Sequence, residues 1–559
     1  MREGNTMTAH SESTAAKLLV RCLENEGVEY IFGIPGEENI HFIDALRDSS
    51  IHYILTRHEQ GASFMADIYG RLTGKAGVCS ATLGPGAINL LLGTADATTN
   101  SAPLVAISAQ VGLNRIYKES HQIVDLVNMF KPVTKWAETV LTPEAIPEMV
   151  RKAFKQAQAL RPGAVYLAIP QDIETMPVPR QAHPLPVNLV RDAAPSPSQL
   201  DRAVTLLQQA KAPLLLAGHG AARANAQQAL LRFSERLAIP VATTFMGKGV
   251  FPDNHPNALG TVGFMRRDYV NFGFDQADLL LCVGYELQEF SPAQINPKAD
   301  KQIIHIHTAP AEVDDHYTLA VGIEGNIALT LDALAKQLTP KSGLTAIGQN
   351  IRAVLQEERE KGARDASFPM KPQRLVADIR TALGEADIVL ADTGAVKMWM
   401  ARLYPAYQPN TCLVSNGLST MAFTLPGAIA AKLASPERKV MAVMGDGSFL
   451  MNVQELETAM RERTPFVVLV WVDNSYGLIE WKMDLELGRH SHVTFSNPDF
   501  VRLAESFGAK GYRIQRAEVL LPTLLRALAD NTVSIVACPV DASENIRLTD
   551  KLGKLTESM

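Results

Sequence analysis

Residues 444–477 read MGDGSFLMNVQELETAMRERTPFVVLVWVDNSYG. They follow on from an apolar run, residues 439–444, which after Lys439 is hydrophobic at every position, as a buried parallel strand is. Gly445-Asp446-Gly447 breaks that strand. Residues 449–461 carry apolar side chains at helical spacing with a Glu-rich face, which predicts a helix. Residues 466–472 form a second apolar run and end at Asp473-Asn474. The order strand, turn, helix, strand predicts one βαβ unit with an acidic residue at the carboxyl end of each strand.

That arrangement has a chemical reading. Ligands of an open parallel sheet sit in the crevice outside the carboxyl ends of its strands. Glycines there let the backbone approach a phosphate, and the following helix offers free N–H groups and the positive end of its dipole. Two oxygen-bearing side chains on neighbouring strand ends suit Mg²⁺, which takes a few carboxylate ligands and shares phosphate oxygens. The stretch is therefore a candidate Mg²⁺–diphosphate site. On these residues alone an ordinary strand-to-helix turn accounts for Gly-Asp-Gly equally well.

The chain has 559 residues, too many for one core and suited to about three domains. Hydrophobic content of 47% and charged content of 20% are those of an ordinary globular protein. The net charge is −6 without a basic block, which disfavours nucleic acid or an anionic membrane as partner. No apolar run approaches the roughly 20 residues of a membrane span. The beginning, MREGNTMTAHSES, has no apolar signal core, and Met7 is an alternative start. Cys22, Cys79, Cys282, Cys412 and Cys538 lack metal-ligand spacing. They fit buried thiols of a reducing compartment, so a cytoplasmic location is expected.

Read in order, the chain predicts a helix over 13–27, strands over 30–33 and 51–56, a helix over 63–72, a strand over 77–81, a helix opened by Leu83-Gly84-Pro85-Gly86, and strands over 104–108 and 164–169. Residues 170–197 are Pro-rich and predict a long linker. A second block follows, with strands over 213–217, 241–244, 279–284 and 302–306 and a helix over 224–238. Gly218-His219-Gly220 closes its first strand like a weak dinucleotide turn. Residues 339–373, polar and rich in Lys and Glu, predict another linker. The third block runs from 372 to about 540 and holds the opening stretch. Alternating strands and helices predict an α/β fold of three doubly wound parallel-sheet domains, over 10–175, 195–340 and 370–545.

Glu59 lies in RHEQGA, at the end of a predicted strand where a helix opens. A helix-start glutamate of that kind is usually a cap. HEQGA, LGPGAIN and GDGSF…DNSYG nevertheless occur in this order on two separate α/β blocks. Together they resemble the thiamine-diphosphate (ThDP) dependent decarboxylases and carboligases over nearly the whole chain. The resemblance implies Mg²⁺ ligands at Asp446, at a side chain of the pair Asp473-Asn474, and at a backbone carbonyl just beyond. Spacing points to Asp473 with the Ser475 carbonyl, and a loop shifted by one residue would use Asn474. It also implies cofactor contacts at Pro35, Gly36, Gly394, Ala395, Val396, Gly445, Gly447, Ser448, Tyr476 and Gly477. Asp392-Thr393-Gly394-Ala395-Val396 is the second diphosphate turn. Glu59 would hold the cofactor's pyrimidine N1′ and drive the imino tautomer that acts as base. Met421 would prop the folded cofactor, and the Ser419 carbonyl would take the 4′-amino hydrogen bond. In the family the pyrimidine half is held by one subunit and the diphosphate half by another, which implies a homodimer or dimer of dimers.

Local strings narrow the resemblance. Glu119-Ser120-His121-Gln122, Phe130 to Trp136, Pro436 to Val440 and Glu505 to Tyr512 resemble the acetolactate synthases, which implies Gln122 at the reacting centre with His121 beside it. Biosynthetic members bind FAD and carry an Arg in a GARFDD string. Here the string is Gly284-Tyr285-Glu286-Leu287, with Glu286 in place of that Arg. This resembles the FAD-free catabolic members, so no flavin is expected. Trp481 matches the biosynthetic members, in which such a Trp shapes the pocket of the second 2-oxo acid, and Leu478 and Ile479 belong with it. Glu37-Glu38 stand where many relatives have small residues, so Glu37 is a candidate catalytic group. Lys248, Arg266 and Arg267 are candidates for a substrate carboxylate. The implied activity is condensation of two 2-oxo acids, pyruvate as donor, to 2-acetolactate and CO₂. A ThDP enzyme with another donor or an aldehyde acceptor, and a silent ThDP-binding subunit, are the alternatives.

Overall fold

The computed structural model describes residues 13–179, 181–188, 192–263, 269–340, 346–546 and 548. Among them are three six-stranded sheets in which every neighbouring pair of strands is parallel. The first contains β1 (Tyr30–Gly33), β2 (His52–Leu55), β3 (Gly77–Ala81), β4 (Leu104–Gln110), β5 (Trp136–Thr139) and β6 (Ala164–Pro170). The second contains β7 (Pro213–Ala217), β8 (Val241–Thr243), β9 (Ala258–Thr261), β10 (Leu279–Val283), β11 (Gln302–His307) and β12 (Leu319–Glu324). The third contains β13 (Ile388–Ala391), β14 (Cys412–Val414), β15 (Val440–Gly445), β16 (Val467–Val472), β17 (Lys510–Arg513) and β18 (Ser534–Pro539). The chain divides into two compact units, one built on the first sheet and one on the second and third.

Strand order is the informative feature. The first sheet runs β2-β1-β3-β4-β6-β5 and the third β14-β13-β15-β16-β18-β17, the same order counted from the first strand of each. The chain reverses direction across the sheet between β1 and β3, and again between β13 and β15. Those are the topological switch points at which an open α/β sheet offers a crevice. The middle sheet runs β12-β11-β10-β7-β8-β9, the order of a dinucleotide fold, with its switch point between β7 and β10.

The sheets are covered on both faces. Leu215 and Ala217 of β7 join one core with Phe233 and Leu331. Leu214 and Leu216, pointing the other way, join a second core with Phe274 and Tyr285. This period of two explains why the strands are apolar at nearly every position. Each fully buried Leu or Ile contributes roughly 1.5–3 kcal/mol. Ala15, Leu18, Leu19, Cys22 and Leu23 are buried on one face of the helix Ala15–Asn25, as their spacing predicts. Among the described residues no helix is long and apolar enough to cross a membrane.

Several expectations are corrected. The segment 339–373 holds an 18-residue helix, Ala346–Ala363. Its Lys and Glu residues made it resemble a linker, but Ile351 and Leu355, one turn apart, are buried against the core that contains Phe274. The Pro-rich segment begins with the short helix Gln171–Thr175, whose Ile173 and Glu174 are buried. The expected helix over 449–461 is two helices, Asp446–Met451 and Glu455–Arg461. Asn452 breaks it, with φ −133°, and its Nδ2 donates to the Ala422 carbonyl at 2.9 Å. The helix expected over 224–238 is Gln227–Leu237, and a separate short helix, His219–Arg223, precedes it, parted from it at Asn225 with φ 51°. The helix that carries Glu59 starts at that residue, not at 63. Lys248 is not free for a substrate: buried, it donates to Asp253 at 2.9 Å and to Thr261 at 3.1 Å. Arg266 and Arg267 lie outside the described residues.

Candidate active site

In the first unit the switch point between β1 and β3 gathers the predicted residues. Gly36 donates its N–H to Asn39 Oδ1 at 2.8 Å, and Asn39 Nδ2 reaches the Ala81 carbonyl at 3.3 Å, which ties the turn after β1 to the end of β3. A side chain at Gly36 would overlap Thr82, 2.2 Å from the position of its Cβ. Thr82 Oγ1 donates to Glu38 Oε2 at 2.7 Å. Glu38, half-buried, is thus the member of the acidic pair fixed in the crevice, while Glu37 is exposed.

Glu59 is the first residue of its helix and only 9% exposed. Its Oε2 accepts Asn89 Nδ2 at 3.0 Å. Asn89 stands on the helix Pro85–Thr99 that LGPGAIN opens. A Cβ on Gly86 would lie 3.1 Å from Glu59 Oε1, so the absence of a side chain leaves one face of this carboxylate open. Gln122 adopts φ 58° and its backbone lies against Gly84, at the start of the same helix. Glu59, Gln122 and Thr82 therefore surround one helix start. The His121 and Gln122 side chains are exposed.

In the second unit the switch point between β13 and β15 is a cavity. Its lining includes Thr393, Gly394, Ala395 and Val396 after β13, and Gly445, Asp446, Gly447 and Ser448 at the end of β15. Asp473, Ser475, Tyr476, Gly477, Leu478 and Ile479 after β16 also line it, as does Met421. Gly394 has φ 130°, which side-chain-bearing residues rarely adopt, and a Cβ on Gly447 would lie 2.7 Å from the Tyr476 ring.

Asp446 is fully buried. Its Oδ1 accepts the Gly447 N–H at 2.9 Å. Its Oδ2 accepts the Asn474 N–H at 2.8 Å and Asn497 Nδ2 at 2.7 Å. Asp473 lies beside it: burial, then the Asp446 charge, push the Asp473 carboxyl up to about 7. Burial likewise raises Asp446. Two carboxylates thus face one cavity, and no Lys, Arg or His lines it among the described residues. Asn474 is turned away from the cavity: it adopts φ 56°, and its Oδ1 accepts Asn497 Nδ2 at 2.9 Å.

The turn that presents Met421 is strained and held from three sides. Ser419 and Ala422 have φ of 55° and 66°. Asp392 accepts the Ala422 N–H at 2.9 Å and the Thr424 hydroxyl at 2.7 Å. Lys397 donates to Ser419 Oγ at 2.8 Å and to the Ser415 carbonyl at 3.2 Å. Asn452 holds the Ala422 carbonyl, as described above. Asp392 and Lys397 as supports of this turn, Asn497 as a partner of Asp446, and Asn545 in the lining were not anticipated. Asn497 lies 51 positions from Asp446, in SNPD, a string that signals only a turn.

Trp481, expected near the second 2-oxo acid, lies outside the lining of this cavity. It is 4% exposed and packs in the core of the third sheet with Trp471 and Leu478. On the helix Gly477–Leu487 the start of the first turn, Leu478 and Ile479, faces the cavity instead. At the middle switch point Gly220 donates its N–H to the Gly284 carbonyl at 2.8 Å, so the two turns touch. Glu286 is buried there, paired with Arg223 and 3.3 Å from His307 Nε2.

Comparison with known proteins agrees with this architecture. Residues 13–129 match the thiamine pyrophosphate enzyme N-terminal TPP binding domain, 200–334 the central domain and 392–538 the C-terminal TPP binding domain. A probable acetolactate synthase large subunit of Methanocaldococcus jannaschii is 36% identical over 97% of this chain and 94% of its own. A catabolic acetolactate synthase of Raoultella terrigena is 36% identical over 96% of this chain and 97% of its own. An acetolactate synthase of Bacillus subtilis is 34% identical over 97% and 96%. With three ThDP-enzyme domains in order and this identity along nearly its full length, the chain belongs to the ThDP-dependent acetolactate synthase family.

Proposed function

We propose that the protein is a Mg²⁺-dependent acetolactate synthase that decarboxylates pyruvate and joins the two-carbon unit to a second 2-oxo acid, giving 2-acetolactate from two pyruvates. The observation that carries this reading is the pair Asp446 and Asp473 in a cavity without a cationic side chain among the described residues. A diphosphate and two carboxylates repel one another there unless a divalent cation lies between them. Asp446, Asp473 and the Ser475 carbonyl would hold that Mg²⁺. The backbone at Gly394 to Val396 and at Gly447 and Ser448 would take phosphate oxygens.

ThDP, when bound, supplies a nucleophilic carbon and an electron sink for loss of CO₂. The chain's own residues then divide the remaining work. Glu59 would hold a proton at the pyrimidine N1′, and the Ser419 carbonyl would orient the amino group. Met421 would keep the cofactor folded. Gln122 and His121 would face the reacting carbonyl, and Leu478 and Ile479 would exclude water so that a second 2-oxo acid, not a proton, captures the two-carbon unit. Because the pyrimidine and diphosphate subsites of the family come from different subunits, a homodimer or dimer of dimers is the expected assembly. Flavin is not expected, since the buried Glu286 and Glu289 place carboxylates at the middle switch point.

The test is product analysis by NMR after pyruvate, Mg²⁺ and ThDP are added to purified protein. Acetolactate with CO₂ release supports the reading. Acetaldehyde alone would make the protein a decarboxylase, and no loss of pyruvate would require a different donor.

A further inference from the structure

A second cavity, of about 350 Å³, lies within the second unit, away from the residues assigned above. The edge strand β9, the helix Ala346–Ala363 and the loop that includes Pro405 and Tyr407 enclose it. Its volume is in the range of pockets that hold small organic ligands.

Charge is the feature that singles it out. Arg352 and Arg359, two helical turns apart, both line it. Arg352 Nη1 donates to the carbonyls of His255 and Ala258. Arg359 donates Nε to the Leu403 carbonyl at 3.0 Å, while its Nη2 is buried with no hydrogen-bond partner among the described residues. Burial, and then the Arg359 charge, lower the Arg352 pKa, as expected of two guanidinium groups sharing one space.

Asp253 is the carboxylate in the lining, and it is already committed. It accepts Lys248 Nζ at 2.9 Å and the Ala406 N–H at 2.9 Å. Of the helix's glutamates, Glu358 pairs with Arg402 at 3.1 Å and Glu357 with Lys361, while Glu360 accepts Gln356 Nε2 at 3.1 Å and lies 4.0 Å from Arg364. Asp253 also feels the Arg359 charge, but with Lys248 beside it one carboxylate faces three cations, and the cavity is net positive. Two guanidinium groups held in one half-buried space repel one another, and an anion that enters the cavity between them relieves that repulsion.

We propose that this cavity binds a small organic phosphate monoester, with Arg352 and Arg359 receiving the phosphate. A phosphate dianion matches two guanidinium charges and offers oxygens for forked hydrogen bonds. The space beyond it, lined by Leu259, Leu355 and Tyr407, suits the organic part. Arg359 also grips the carbonyl of Leu403, the last residue of the helix Ala395–Leu403 whose first residue lines the cofactor cavity.

The test is isothermal titration of the protein preloaded with saturating Mg²⁺ and ThDP, so that phosphate does not compete for the diphosphate crevice. The probes are inorganic phosphate, glycerol 3-phosphate and AMP, with malonate as a dicarboxylate control. One saturable site per chain for a phosphate monoester, weakened about tenfold or more in Arg359→Met, is the expected result. Gln356→Glu, at an exposed position of the lining, should weaken it similarly; it gives up only the exposed hydrogen bond to Glu360, and decides the matter if Arg359→Met does not fold. No binding of any phosphate probe up to about 10 mM, tighter binding of malonate than of the monoesters, or equal affinity in wild type and Gln356→Glu would overturn the proposal.

Discussion

Asp392 Oδ1 accepts the backbone N–H of Ala422 at 2.9 Å, so the residue that follows β13 grips the turn on which Met421 stands. The same carboxylate takes the Thr424 hydroxyl at 2.7 Å and the Thr393 N–H at 2.8 Å. Asp392→Ala would leave these buried donors unpaired next to two residues with positive φ. Loss of about 2–4 kcal/mol of unfolding free energy is expected, with weaker ThDP binding. Urea denaturation and a fluorescence titration with ThDP measure the two effects. An unchanged denaturation midpoint would mean that Asp392 does not support the turn.

Glu59→Gln keeps the size of the side chain and a partner for Asn89, but not the charge. Turnover of pyruvate should fall by about 10²–10⁴-fold, while ThDP affinity changes little. Steady-state rates and ThDP titration separate the two quantities. Turnover that survives the change would remove Glu59 from the chemistry.

The two candidates for the second metal ligand separate experimentally. Asp473 lines the cavity, whereas Asn474 turns its amide toward Asn497. Asp473→Asn should raise the Mg²⁺ concentration needed for half-maximal activity by at least about tenfold. Asn474→Gly, which suits φ 56°, should raise it much less. The reverse ranking would place the loop one residue out of the proposed register.

Much of this architecture was legible because its signals are local. The apolar runs ending at Gly33, Ala81, Ala391 and Met444 are strands buried on both faces, and the glycines after them mark where a ligand approaches the backbone. What escaped detection depends on contacts distant in sequence. Asn497 reaches Asp446 over 51 positions, and Lys397 holds a turn that its helical spacing does not reveal. The helix Ala346–Ala363 was hidden by a charged outer face, since Ile351, Val354 and Leu355 alone, among its described side chains in that cluster, report the core it covers. Trp481, which the resemblance links to the acceptor pocket, packs with Trp471 in the core of the third sheet, a contact that its place after DNSYG does not reveal.

Glu286 supplies a spectroscopic prediction. It takes the position of an Arg in the flavin-binding string, and it is spent on Arg223 and His307. Purified protein should show no flavin absorbance and gain no activity from added FAD. A yellow preparation that loses activity when the flavin is stripped would contradict this.

Glu174 predicts how stability varies with pH. It is 1% exposed and accepts the Phe42 N–H at 3.0 Å, at the start of the helix Ile40–Leu46. Burial outweighs that bond and lifts the carboxyl from 4.5 to about 8. Between those values the folded chain keeps a proton that the unfolded chain has released. The stabilisation is therefore complete below about pH 4.5 and is lost as pH rises toward 8, by at most about 1.4 kcal/mol per pH unit. Glu174→Gln carries no titrating group and should lack this component. Its stability relative to wild type should rise between pH 5 and 8 when both are unfolded in urea. Parallel pH profiles for the two proteins would show that Glu174 is ionised in the folded state, held charged by the helix start it caps.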